Sequence, residues 1–154
     1  MKITKKDLGD LYQGLLSVDN LTGVKFSYAV ARNLSMLKDE MESLKKAISM
    51  SKEFAEYEFK RVELAEDCAV LEDGKPKVVN GEYEIKNEEF FKTELSKLQE
   101  TYKEAIDGRK KQLSELRELL KEEVEVDLYM IPQDIVPEAI NTKQMADILP
   151  VIKE

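Results

Sequence analysis

Residues 76–86 read PKVVNGEYEIK and stand between two much longer runs whose apolar residues recur every three or four positions. Asn80-Gly81 is the strongest short-range signal for a two-residue type I′ turn, because both central positions of that turn need positive φ. The register then sets Val78 opposite Tyr83 and Lys77 opposite Glu84, with one apolar and one charged face. A chain that otherwise spells helix stops here for a two-stranded hairpin, the natural tip where one long helix reverses into another. Two strands alone are marginal in water, so a connector is the expected role of the tip rather than a binding finger.

Upstream, from about Val24 to Leu71, Val30, Leu34, Leu37, Met41, Leu44 and Ile48 follow a four-three spacing without proline or glycine, which predicts one helix over 24–72. At 1.5 Å per residue it would be roughly 70 Å long. Downstream, Phe91, Leu95, Leu98, Tyr102, Ile106, Leu113, Leu116 and Leu120 line one face of a second helix over 87–123, with Asn87 as N-cap and Gly108 as its weak point. The expected fold is mainly α: a long, coiled-coil-like antiparallel hairpin with the β-hairpin at 73–86 as its tip. Facing residue numbers then sum to roughly 160, setting Glu58 near Tyr102 and Ser51 near Arg109. Polar residues at matching heights of the two seams read as alignment residues rather than a catalytic pair.

The two ends supply a small base, so that 1–154 reads as a single elongated domain. Residues 1–23 hold a short helix that opens with Thr4 three residues before Asp7 and carries Leu8, Leu11, Tyr12, Leu15 and Leu16 on one face. Residues 124–154 hold an alternating strand, VEVDLYMIP, whose expected partner is the N-terminal MKI. A short helix follows, with Asn141 or Thr142 as cap, Met145, Ile148 and Leu149 buried, and Pro150 as its stop.

The 154 residues are 42% hydrophobic, enough for a core, and a net charge of −8 argues against binding a phosphate backbone. MKITKKDLGD places charge where a signal peptide needs an apolar run, and no window reaches the ~20 apolar residues of a membrane span. The expectation is a cytoplasmic protein with no membrane and no nucleic-acid partner. Cys68, the one cysteine, fits a reducing compartment and reads as a packed thiol.

With no histidine and a single cysteine, tetrahedral zinc sites, Ser-His-Asp and Cys-His nucleophile systems and the Glu-x-x-His di-iron pattern are all excluded. Gly9 and Gly14 have P-loop spacing, but Leu15 stands where the phosphate-gripping lysine must be. A carboxylate-only magnesium site, as in all-helical nucleotide pyrophosphohydrolases, is the remaining enzymatic option. Glu53/Glu56, Glu63/Glu66 and Glu115/Glu118 have its spacing, yet in a chain that is 36% charged such pairs arise by chance and fall on a solvated face. The reading is therefore no catalytic residue, no metal and no cofactor.

The outer half of the first long helix carries two stripes. Ala55, Phe59, Val62 and Ala69 continue the seam, while Phe54, Tyr57, Leu64, Cys68 and Leu71 form a second stripe about a third of a turn away. One partner helix cannot cover both. Phe54, Tyr57, Leu64, Cys68 and Leu71 are therefore the expected partner-binding residues, covered by a second copy or another protein, the alternative being the tip or a bent second helix folding over them.

The order of these elements, MKITKKDLGDLYQGLLS, then GVKFSYAVARNLSMLKDEMESLK, then EEVEVDLYMIP and TKQMADILPVIKE, resembles small helical proteins of unknown function from tailed bacteriophages and prophages of Gram-positive bacteria. The stretch from about Phe54 to Tyr102 departs from that family as an insertion, and the resemblance brings no functional residues. It implies a non-enzymatic phage protein of the host cytoplasm or the virion, acting by helix-mediated association as a homo-oligomer or with a host or virion protein. An acidic inhibitor of a host defence or nucleic-acid enzyme, and a magnesium-dependent nucleotide hydrolase, are the two alternatives.

Overall fold

The computed structural model of the chain describes residues 1–153. Its order is β1 (Lys2–Thr4), α1 (Lys5–Ser17), α2 (Val24–Ile48), α3 (Lys52–Asp67), β2 (Leu71–Glu72), β3 (Lys75–Pro76), β4 (Val78–Val79), β5 (Glu82–Tyr83), α4 (Glu88–Thr101), α5 (Lys103–Leu119), β6 (Glu123–Glu125), β7 (Ile131–Pro132), a 3-10 turn Gln133–Ile135, α6 (Thr142–Ile148), a second 3-10 turn Leu149–Val151, and β8 (Ile152–Lys153). The protein is mainly helical with small two-stranded sheets, antiparallel except for β7 and β8. It divides into two compact units, Met1–Ile48 with the residues from Glu115 onward, and Ser49–Ser114.

The first unit has a dry core. Leu8, Leu11 and Leu15 of α1, Phe26, Ala29, Val30 and Leu37 of α2, and Leu128, Ile131, Ile148 and Val151 from the end of the chain are all buried together. The expected pairing of the strand with MKI is present: β1 and β6 are antiparallel, with Ile3 opposite Val124. The Lys5 and Lys6 N–H groups donate to the carbonyls of Glu122 and Leu120, so orphan donors at the start of α1 meet orphan acceptors just past α5. Thr4 caps α1 through the Asp7 N–H as expected. Buried Asn33 on α2 pairs through both amide atoms with the Tyr129 backbone, donating to its carbonyl at 2.9 Å and accepting from its N–H at 2.8 Å. The side chain thus stands in for a neighbouring strand.

Gly14 has a packing role: a Cβ there would come within 2.8 Å of the Asp147 backbone, so α1 and α6 pass each other at a glycine. Asn141 caps α6 in a reciprocal capping box with Gln144. Leu149, expected to be buried, is 60% exposed; the chain turns into a 3-10 segment there and sends Ile148 and Val151 inward instead.

The single helix expected over 24–72 is two helices. Ser49–Ser51 interrupts it: Ser51 is extended, and its hydroxyl accepts from the Phe54 N–H as the N-cap of α3. Lys45 and Lys46 close α2, and Glu53 opens α3, each favourable with the helix dipole at its end. Serine competes locally for backbone groups, and the Ser51 cap starts a new helix here without help from glycine or proline. The second expected helix, over 87–123, has its cap at Asn87 but its irregularity at Tyr102, not Gly108. Tyr102 has ψ 22, yet its N–H still reaches the Leu98 carbonyl and its carbonyl accepts from Ile106, so the helical ladder runs on either side.

The tip is more than one hairpin. Val78 faces Tyr83 across Asn80-Gly81 as expected, with φ of 53 and 82 at the two turn residues, and a Lys77–Glu84 ion pair at 2.7 Å follows it. A second turn of the same type, Asp73-Gly74 with φ of 52 and 75, joins β2 to β3. The Val70 N–H donates to the Glu84 carbonyl, the Glu84 N–H to Lys77, and the Lys77 N–H back to Val70. This closed ring of backbone hydrogen bonds joins three residues spaced seven apart in sequence, and three short ribbons radiate from it, the third being the Ala69–Ile85 bridge that leads to the helices.

Candidate interaction surface

In the second unit α3 and α4 pack antiparallel. Tyr57 is 5% exposed, its ring 5.7 Å from that of Phe54 and 5.9 Å from that of Tyr102. The Arg109 guanidinium lies 5.8 Å from the Phe54 ring, and its Nη1 donates to Gln112, which in turn donates to the Ser49 carbonyl. Leu64 and Leu98 line one shallow hollow with Lys60, Glu94, Lys97 and Thr101.

Of the five expected partner-binding residues, Phe54, Tyr57, Leu64 and Cys68 lie along the face of α3 that meets the rest of its own unit, half-buried except for the buried Tyr57. Leu71 stands apart on β2, opposite Pro76 and 55% exposed. Along α3 itself the two stripes have changed places: Ala55, Phe59 and Val62, expected in the seam, are exposed, Phe59 at 69%, whereas Ala69, the last expected seam residue and already beyond the helix, is buried as expected. The reason is bulk: Phe54, Tyr57, Leu64 and the stem of Arg61 offer more apolar area to a neighbouring helix than Ala55, Phe59 and Val62, and burial is roughly proportional to area.

The expected neighbours along the seam are shifted by a residue or two. Lys60 Nζ, not Glu58, meets the Tyr102 hydroxyl at 2.8 Å. Glu58 instead takes both a Nε and a Nη2 bond from Arg61 one turn on, which raises the Arg61 pKa. Tyr102 first, then Lys60, hold the Glu56 carboxyl below its ordinary pKa; the same Tyr102 contact, then Glu56, raises Lys60. Ser51 and Arg109 line a common hollow with Ser49, Gly108 and Gln112.

The outward face of α3 is built from Lys52, Ala55, Phe59, Val62 and Glu66, all exposed and in three-four spacing. Glu56 and Glu63 flank it on one side, Glu58 on the other. This is the feature that the residue pattern alone assigned to the intramolecular seam. In the first unit, Val24 and Tyr28 stand out beside a hollow of about 510 Å³ with Tyr129, Pro132 and Ile135, where Lys25 and Asp134 add one charge of each sign.

Glu53/Glu56, Glu63/Glu66 and Glu115/Glu118 do not converge: Glu56 pairs with Lys60, Glu66 accepts from the Tyr83 hydroxyl, and Glu118 pairs with Lys121. Among the described residues no group of three acidic or cysteine side chains is placed to hold a metal ion, and no helix is long and apolar enough to cross a membrane. Comparison with family models, curated proteins and solved structures gives no match to the chain.

Proposed function

We propose that this chain is a non-enzymatic phage protein of the host cytoplasm or virion that works by helix-mediated association with another protein chain, a second copy or a virion or host protein. The observation that carries the reading is the exposed apolar stripe of α3, Phe59 at 69% and Val62 at 39%, in heptad spacing on a unit whose own packing uses the opposite face. Large apolar side chains in such a row forgo burial until something covers them. The phage origin rests on the resemblance of MKITKKDLGDLYQGLLS and EEVEVDLYMIP to small phage proteins. Affinity purification of the tagged full chain from lysogenic or infected cells, with mass spectrometry and light scattering, tests the association. A stoichiometric partner or a self-oligomer is expected; a monomer that brings down no stoichiometric partner overturns the reading.

The finer architecture belongs to the same proposal: the two helical runs form one long antiparallel hairpin. Its support is the facing register, in which Lys60 meets Tyr102 and Ser49 meets Gln112, close to the sum of roughly 160 that the hairpin ends set. Small-angle scattering of the full chain should give a maximum dimension well beyond that of a sphere of 17.7 kDa. A compact profile sinks it.

A further inference from the structure

The outward stripe of α3 has a definite electrostatic character. Along its centre lie Ala55, Phe59 and Val62, closed at one end by Lys52 and at the other by Glu66; Glu56 and Glu63 border one side and Glu58 the other. Four glutamates thus surround three apolar residues, against one lysine. Lys60, which pairs with Glu56, lies round the helix toward Tyr102, and Arg61, which pairs with Glu58, lies on the face toward α4.

A second copy fits this border badly. Packed antiparallel, it brings its Lys52 end over the Glu66 end of the first copy, but it sets the whole Glu56 and Glu63 side against its own duplicate. Packed parallel, it opposes Lys52 to Lys52, Glu66 to Glu66 and Glu58 to Glu63. Like charges at flanking positions cost stability and select against a pairing. The stripe needs the opposite: apolar residues in the same spacing with basic residues on both sides.

We infer that the outward face of α3, Phe59 and Val62 bordered by Glu56, Glu58, Glu63 and Glu66, docks a basic amphipathic helix of another protein. This rests on the association reading and gives it an address and a partner chemistry. From Lys52 to Glu66 the stripe is about 21 Å long at 1.5 Å per residue, which matches three to four turns of a partner helix. Apolar burial supplies the affinity, and the acidic border supplies orientation and salt dependence.

The test uses the full chain and two labelled helical peptides with leucine at every a and d position, one with lysine and arginine at the flanking positions and one with glutamate there. Fluorescence anisotropy should show the basic peptide binding at least about tenfold more tightly than the acidic one, with the gap narrowing at high salt. Phe59→Ser with Val62→Ser should weaken the basic peptide about tenfold or more, and Glu63→Lys should weaken it as well. Phe90→Ser removes a comparably exposed ring outside the stripe and should change nothing. Helical circular dichroism of each variant should match the parent, since the side chains face solvent.

Unaltered binding in the Phe59/Val62 double variant, or equal loss in Phe90→Ser, overturns the inference. So does a parent chain that sediments as a dimer and becomes monomeric in the double variant, because the stripe is then covered by a second copy. If the double variant binds like the parent while the chain still recovers a stoichiometric partner from cells, this address falls and the association reading stands.

Discussion

The two units solve the burial problem in different ways. The first gathers residues from both ends of the chain around Phe26, Leu8, Leu15, Ile131 and Ile148, none of them exposed at all, and includes one buried polar side chain, Asn33, with both its amide atoms bonded. In the second, Tyr57 and Ala69 are the buried apolar residues among those described. Two helices in a single layer can hide one face each and no more. The second unit therefore draws on local devices: Ser51 and Asn87 at helix starts, i,i+4 ion pairs such as Lys60–Glu56, and turns with residues suited to positive φ. A unit with a closed core is insensitive to its surroundings, whereas a unit without one leaves a face to be completed.

This contrast can be broken at Asn33. Asn33→Ala leaves the part-buried N–H and carbonyl of Tyr129 without their partner, and the cost should be about 2–4 kcal/mol in urea unfolding of the full chain. A loss below about 1 kcal/mol would mean that the Tyr129 backbone finds water or another partner. Gly14→Ala comes next. Its new methyl group meets the Asp147 backbone, so α1 and α6 must part, at about 1–3 kcal/mol. The neighbouring Gly9, with open space around it, accepts Ala with no loss, and Gly9→Ala serves as the control.

In the second unit the effects should be smaller and confined. Gly81→Ala puts a side chain at φ 82 and should cost about 1–2 kcal/mol, read as faster amide exchange around β4 and β5 and no change at Asn33. Exchange that rises across both units together would show them to unfold as one. The smallest effect is electrostatic. Glu56 has a lowered pKa when folded, so its contribution is present above the ordinary carboxylate range and fades as pH falls through the folded value. Lys60 has a raised one, so its contribution is present below the ordinary lysine range and fades as pH rises through the folded value. Tyr102→Phe, which removes the hydroxyl common to both, should move both titrations back toward their ordinary values by NMR.

What was legible in the sequence divides along the same line. Signals that act within a few residues were readable: the Asn80-Gly81 register, the caps at Thr4, Asn87 and Asn141, and the pairing of MKI with the late strand. Asp73-Gly74 carries the same dipeptide signal as Asn80-Gly81, but Pro76 ends its second strand and no alternating apolar run flanks it. Ser49 and Ser51 mark a helix end that a search for glycine and proline misses. The choice between the Tyr57 and Phe59 stripes was not readable, since both have helical spacing and the outcome depends on what α4 offers. Asn33 gave no warning either: its partner lies 96 residues away.

The ring of hydrogen bonds at the tip also sets which changes of chain length it tolerates. Each of the two hairpin ribbons is a seven-residue module, residues 70–76 and 77–83, that enters and leaves the ring of Val70, Lys77 and Glu84 through one N–H and one carbonyl. Excising residues 70–76 takes out one module whole: Lys77 and Glu84 then exchange both bonds directly, and the tip becomes an ordinary two-stranded hairpin with no ring donor or acceptor left over. Excising six or eight residues leaves a donor or an acceptor without its mate and turns the following side chains to the wrong side of the ribbon. The tip is thus a modular joint whose length is counted in sevens, able to lose an arm without disturbing the spacing of the helices that carry it.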